Sequence, residues 1–424
     1  MSSPALFFEL WKYCPQLACG EVLAAEGGDS GDTCPVCSTG FKRCSACRAT
    51  NRLLVEFCRS CGRHFESQGS YTQTGLTLAR TNTQTINEIG QTKLIHLGAG
   101  VAAQPLTSDG LVFVPRLDGF ISVVNAAAGK IVGQLFVGGR IEVAPALAGG
   151  LLFVAAGTRL HAFDLIDFLD QPASQNFKPA WTVESSGEYI TQPVVADERA
   201  VFFVSKRGDA AIVDAVSQET GESLWPAPAE VATYMTLPPV LLKDQLVVVT
   251  QGSDVYSFHP LTGQATISRL NFELDVAVSP AVTGEDRFLL ADARGYIFEV
   301  HADSPKAGAI PVYDHRNPVT SISASDDFIT YGHRSGLALL NAHGDRRWAY
   351  DSYETITVTP ALCGASIFAV DDAGNGLLFG TLNANPKTKV RLLPGGEVRT
   401  PPIVAGRHLV AASGDGKLVT IEWR

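Results

Sequence analysis

The chain is predicted to be mainly β, with a front segment organised around metal and a body of repeated short sheets. Three observations carry this. Eight of the nine cysteines fall in the first 61 residues as close pairs, a Pro-led unit recurs along the chain after residue 90, and glycine-containing turns alternate with apolar runs too short for ordinary helices.

The cysteine pairs are Cys14/Cys19, Cys34/Cys37, Cys44/Cys47 and Cys58/Cys61. Two thiolates separated by two residues reach one tetrahedral ion, because the tight turn between them points backbone N–H groups at the charged sulfur, and two such pairs fill one site. In chain order Cys14, Cys19, Cys34 and Cys37 form one four-cysteine site, and Cys44, Cys47, Cys58 and Cys61 form another. A crossed assignment, Cys14/Cys19 with Cys44/Cys47 and Cys34/Cys37 with Cys58/Cys61, uses the same ligands in another topology. Either way two zinc ions are expected, both structural, since protein fills every coordination position. A disulfide framework is the competing reading and needs an oxidising compartment. The N-terminus MSSPALFFELWKYC lacks a basic, then apolar, signal-peptide pattern, so a cytoplasmic location is expected, where thiols stay reduced.

The second group, CSACRATNRLLVEFCRSCGRHF, resembles a zinc ribbon: a knuckle, a short hairpin, a second knuckle ending in Cys61-Gly62, then the aromatic Phe65. The first group departs from that pattern through its wider Cys14/Cys19 spacing and the Gly-rich stretch before Cys34. Residues 1–40 are read as the first ribbon and 41–65 as the second. Residues 66–90, rich in Thr, Gln, Ser, Asn and Gly, read as a polar linker that buries too little apolar surface to offset its ordering entropy.

From residue 91 the repeat takes over. Its anchors are Pro105, Pro145, Pro193, Pro239, Pro280, Pro318, Pro360 and Pro402, at spacings of 40, 48, 46, 41, 38, 42 and 42. After each comes an apolar, β-branched run such as Leu111 to Val114 or Val201 to Val204, then a turn such as Asp118-Gly119, Arg207-Gly208, Gln251-Gly252 or Asn375-Gly376, then a second strand. Glycine supplies the positive φ that tight hairpins need. Several units add a last strand around Trp181, Trp225 or Trp348. Four short strands in about 40–45 residues is the pattern of a β-propeller blade. The final unit supplies three strands before the chain stops. Thr92 to Leu97, which has no unit of its own, is expected to add the fourth and close the circle. Eight blades follow, or seven if the irregular unit at Pro318 merges with a neighbour.

The Pro anchor, apolar strand, Gly turn and Thr-Gly or Gly turn leading to Trp resemble the propeller repeat of pyrroloquinoline-quinone (PQQ)-dependent dehydrogenases and of outer-membrane assembly lipoproteins. The likeness covers roughly residues 91–424. It implies a PQQ-like propeller and raises a quinone-dependent dehydrogenase as one alternative. Against that activity, the body holds one cysteine, Cys363, so the vicinal cysteine pair of the larger quinoproteins has no counterpart, and no calcium loop is evident. No PQQ is expected. Cys363 reads as a small buried hydrophobe.

Charge divides the chain. Residues 91–424 hold 25 Lys and Arg against 35 Asp and Glu, a poor match to nucleic acid. In the second ribbon Lys42, Arg43, Arg48, Arg52, Arg59 and Arg63 face only Glu56, a basic patch that is a candidate binding surface for a protein partner or, as the alternative, nucleic acid. The same cations also balance a four-thiolate zinc site. No apolar run reaches the ~18 residues of a membrane span. His161, His259, His301, His315, His333, His343 and His408 are scattered over the repeats, and no nucleophile elbow or phosphate loop is evident. The expected function is therefore that of a non-enzymatic scaffold, ribbons and propeller each docking protein partners.

Overall fold

The computed structural model describes residues 86–424 except 109, 166–167, 169–176, 198, 243–244, 271–277, 285, 293, 303–309, 315–317, 326, 353, 394–396, 406 and 424, and in the front segment the strands Asp32–Thr33, Gly40–Arg43 and Thr50–Arg52. The body is an eight-bladed β-propeller. Blades 1 to 7 span residues 106–136, 146–184, 189–231, 240–269, 281–314, 319–351 and 361–391. Blade 8 combines residues 403–423 with the strand Ile89–His96. Among the described residues no helix is long and apolar enough to cross a membrane.

Each anchor proline stands at or just before a blade's first strand: Pro105 precedes Leu106–Ser108, Pro360 precedes Ala361–Cys363, and Pro402 precedes Ile403–Ala405. That strand has a hydrogen-bonded partner on one side only, so a residue without an N–H fits at its start. First strands of neighbouring blades approach one another at the pairs 8/1, 2/3, 3/4, 5/6 and 6/7, which places them around the axis. The other strands follow outward in an antiparallel meander.

The hydrophobic core lies between blades. Separate clusters join blades 1 and 2, 2 and 3, 3 and 4, 4 and 5, 5 and 6, and 6 and 7, and a last one joins blades 7, 8 and 1. The strand Ala200–Arg207 shows how one run serves two neighbours: Val201 and Phe203 pack toward blade 2, while Phe202 and Val204 pack toward blade 4. Successive strand residues point to opposite faces, so a strand covered on both faces must be apolar at every position. This is why the runs looked continuous rather than alternating.

Closure follows the expected route. Ile89–His96 pairs antiparallel with Lys417–Trp423, His96 opposite Lys417 and Thr92 opposite Ile421. Residues 86–90, read from sequence as the end of the linker, belong to the wheel: Ile86 is fully buried in the blade 7/8/1 cluster, and its carbonyl accepts the Ser366 hydroxyl at 2.8 Å. The Thr107 hydroxyl adds a second tie, donating to the Val404 carbonyl at 2.8 Å. The doubtful unit at Pro318 is a complete four-stranded blade whose first strand, Val319–Ala324, carries a register shift between Val319 and Ser321. That shift explains its irregular look in sequence, and seven blades are excluded.

Two turns differ from expectation. At Gln251-Gly252 the left-handed residue is Ser253, φ 72°, and near Asn375-Gly376 it is Gly374, φ 80°, with Asn375 already in the next strand. Outer clasps join neighbouring blades. Trp181 donates its indole N–H to the Gln218 carbonyl at 3.1 Å and covers Gly221, and Trp225 donates to the Pro260 carbonyl at 2.8 Å and covers Gly263. Lys93 takes the equivalent place between blades 8 and 1, reaching the Ala127 carbonyl over Gly129.

A methyl group on Gly263 would stand 2.7 Å from the Trp225 ring at φ +71°. Gly263→Ala should therefore destabilise the wheel by about 1–3 kcal/mol, overlap outweighing the gain from a stiffer unfolded chain. Gly252→Ala, whose added carbon meets only Thr250 at 3.7 Å, should be close to neutral. Denaturant midpoints of the two variants against the parent check the contrast.

Candidate functional site: the upper face of the propeller

The meander sorts loops by face. Turns between second and third strands share one face, here called upper, with the connections between blades, while first-to-second and third-to-fourth turns share the lower face. Backbone hydrogen bonds knit the upper loops together, Leu117 to Gly100, Gln251 to Met235, Asp372 to Thr355 and Gly414 to Glu397. Loops held this way present side chains on a rigid frame.

Among the described residues, three blades carry a cation over an aromatic ring on this face. In blade 1 the Arg116 guanidinium lies 5.3 Å from the Phe120 centroid, beside the half-exposed Phe136, whose ring is 4.8 Å from Phe120. In blade 5 Arg294 lies 6.0 Å from Tyr296 and is fixed by the buried Asp292, with Nε 2.9 Å from Oδ2. Arg116 is likewise paired with Asp118.

Blade 3 has the largest such cluster. Its inner edge continues past the anchor through the extra strand Tyr189–Ile190, which pairs with Lys206 and Ser205. Lys206 Nζ sits 4.0 Å from the Tyr234 centroid, and Met235 follows in the connection to blade 4. Tyr189, Tyr234 and Met235 are 46%, 39% and 47% exposed, three of the eight exposed large hydrophobic side chains among the described residues. Lys206 links them, its backbone paired with Tyr189 and its ammonium over the Tyr234 ring, with Met235 next to Tyr234 in the chain; the set is here called the crest. Its backbone is fixed from both sides: Tyr234 N–H donates to the Asp209 carbonyl at 2.8 Å, and the Met235 carbonyl accepts Gln251 N–H at 2.9 Å. Gln251 belongs to the turn containing Ser253, the one non-glycine residue with positive φ among those described. Backbone strain of this kind persists where surroundings enforce it. On the blade 2 side of the same sheet, opposite Phe203, the buried Asp214 accepts the Ser186 hydroxyl at 2.6 Å; burial raises its pKa, partly countered by the Ser186 bonds.

The sequence-predicted ligands Cys14, Cys19, Cys34, Cys37, Cys44, Cys47, Cys58 and Cys61 lie outside the described residues, as do Arg48, Arg59 and Arg63. The front strands form a small antiparallel sheet with Gly40–Arg43 central. Thr33 pairs with Gly40, and Arg43 with Thr50. Among the candidate basic residues, Lys42 and Arg52 belong to described strands, and Arg43 is buried, 3% exposed, with its guanidinium 6.0 Å from the centroid of the buried Phe41. Its charge is held inside rather than offered at a surface.

The described histidines do not converge. His161 meets Thr182 in blade 2, His301 lies beside Glu299 in blade 5, His333 is buried in blade 6 and His408 opens a strand of blade 8. Among the described residues no three His, Cys, Asp or Glu side chains are grouped to hold a metal. Cys363 is fully buried, its thiol pushed up to about 12, an inert position. The crest escaped sequence reading because Tyr189 and Tyr234 sit in connections outside the repeat. The spacing gave no signal either: Glu184 to Pro193 is as long as Phe136 to Pro145 in blade 1, and the extra length of the Pro145 unit lies between Asp164 and Trp181.

Comparison with known proteins agrees with this fold. The family described as outer membrane protein assembly factor BamB matches residues 175–270, the end of blade 2 through blade 4. No curated protein sequence matches the chain. Among solved structures, BamB from Moraxella catarrhalis is similar with a TM-score of 0.61 at 14% identity, covering 79% of this chain and 100% of that one. Sqt1 from Saccharomyces cerevisiae gives 0.61 at 16%, covering 80% and 99%. The quinohemoprotein alcohol dehydrogenase from Comamonas testosteroni gives 0.61 at 11%, covering 87% and 82%. At these identities the likeness establishes the propeller fold alone.

Burial holds the pKa of both His161 and His408 below the ordinary 6.5, Arg159 adding to the effect at His161, and Lys93 and Arg407 at His408. The unfolded chain then binds protons first as pH falls, so stability is full well above 6.5 and declines as pH drops through that value. Thermal unfolding followed from pH 7.5 to 5.5 should show a falling midpoint, and the fall should shrink in a His161→Gln, His408→Gln double variant.

Proposed function

We propose that the chain is a non-enzymatic scaffold whose propeller docks a protein partner on the upper face, centred on the crest of blade 3. The observation that carries this is the exposed Tyr189, Tyr234 and Met235 grouped about the half-buried Lys206 on a hydrogen-bonded frame. Tyrosine and methionine are enriched at protein interfaces, tyrosine because a large side chain with few rotatable bonds buries area at low entropic cost and methionine because its flexible thioether adapts to the facing surface. The family matching residues 175–270 is described as an assembly factor, and that stretch includes all of blade 3. Photo-crosslinking in the native cell tests it. Benzoylphenylalanine at 234 or 235 should trap a protein, whereas the same group at Leu261 or Leu382, exposed on the lower face, should not. Adducts from the lower positions alone would refute the reading.

The front segment is proposed to hold two structural zinc ions through its eight cysteines, in the reducing environment of the cytoplasm. Cys58→Ala should lower bound zinc from about two to about one per chain, because a ribbon this small folds through its metal. The propeller's melting midpoint should stay unchanged, since its cores are drawn from residues 86–424. Elemental analysis and thermal scans of the purified variant measure both.

A further inference from the structure

We propose that the blade 3 crest receives a cationic segment of a partner protein, with an arginine or lysine seated against Tyr189 between Glu188 and Asp209 and an apolar neighbour on Tyr234 and Met235. This deepens the docking reading above and rests on it.

Charge accounting around the crest favours a cation. Nearby basic groups are already matched: Arg207 to Glu230 at 2.7 Å, Arg159 to Glu184 at 2.9 Å, and Arg269 to Asp254 at 3.7 Å. Glu188 and Asp209 have no cationic partner among the described residues. Glu188 Oε1 accepts the Gly208 N–H at 3.3 Å, which brings its carboxylate to the hairpin tip that Asp209 shares. Lys206 is the one cation of the cluster not matched to an acid.

Lys206 also shows what the rings accept. Its ammonium rests 4.0 Å from the Tyr234 centroid, so the chain itself already satisfies one ring of the crest with a cation. Tyr189, adjacent to Glu188 and paired with Lys206 on the hairpin whose tip carries Asp209, offers a second ring. A guanidinium there gains stacking and charge-assisted hydrogen bonds together. An acidic segment would bring like charges against Glu188 and Asp209, a costly juxtaposition. The excess of 35 acidic over 25 basic residues in 91–424 draws cations toward the wheel from a distance.

The test uses the full chain and two labelled peptides, one of alternating Arg and Leu and one of alternating Glu and Leu, followed by fluorescence anisotropy at low and high salt. The Arg peptide should bind at low salt and weaken as salt rises. A Tyr189→Ala, Tyr234→Ala pair and a Glu188→Gln, Asp209→Asn pair should each weaken it about fivefold or more. A Glu219→Gln, Glu222→Gln pair removes the same charge from the lower turn of blade 3 and should leave binding unchanged. Thermal scans confirm that each variant is folded. Preference for the Glu peptide, equal loss in the lower-face pair, or absence of Arg-peptide binding at low salt each overturns the proposal. Crosslinking at 234 without Arg-peptide binding would remove the cationic partner and keep the docking face; absence of both would remove the face itself.

Discussion

No blade of this protein can bury its own strands. A four-stranded antiparallel sheet whose inner strands are apolar on both faces exposes two hydrophobic surfaces, and each needs a neighbour. The continuous set of inter-blade clusters, from blades 1 and 2 around to blades 7, 8 and 1, meets that need. A fully buried phenylalanine contributes about 1.5–3 kcal/mol, and Phe202 and Phe203, consecutive in sequence, deliver it to opposite seams. The ring therefore closes or leaves two blade faces open to water. Ile89–His96 closes it, with Ile86 sealing the outer seam.

This constraint fixes the strands and frees the loops. Because the apolar surface is used up between blades, side chains on the upper and lower faces are released from packing duties. The upper face spends that freedom unevenly: blades 1, 3 and 5 each set a cation over an aromatic ring, and blade 3 adds an extra strand and an exposed apolar crest. A docking role drawn from that crest follows the same logic as the fold. An exposed tyrosine on a backbone held by hydrogen bonds from two blades is pre-organised for a partner.

Much of the architecture was legible because a repeat writes the same physics many times. Anchor prolines mark a position where a missing N–H costs nothing, and their spacing counts the blades. The surplus strand before Pro105 had one place to go. Where a rule depended on local geometry, reading was less sure. Gly252 and Gly376 looked like turn residues because glycine tolerates any φ, yet the left-handed positions are Ser253 and Gly374, set by where the ladder hydrogen bonds resume. Arg43 looked like a surface cation and is buried against Phe41, since a strand of four residues must turn alternate side chains inward.

By itself the sequence determined a mainly β chain, the order of blades with a count of eight or seven, the strand that closes the wheel and the cysteine spacing of the front segment. All of these rest on local periodicity, on proline and glycine chemistry, and on how short an apolar run is. Only the tertiary structure decided which residues of the connections meet. Tyr189, Lys206 and Tyr234 are separated by many residues and belong to no repeat, and antiparallel pairing of the extra strand with the hairpin of blade 3 is what brings them together. Such meetings depend on contacts between chain segments far apart in sequence, which no pattern along the chain encodes.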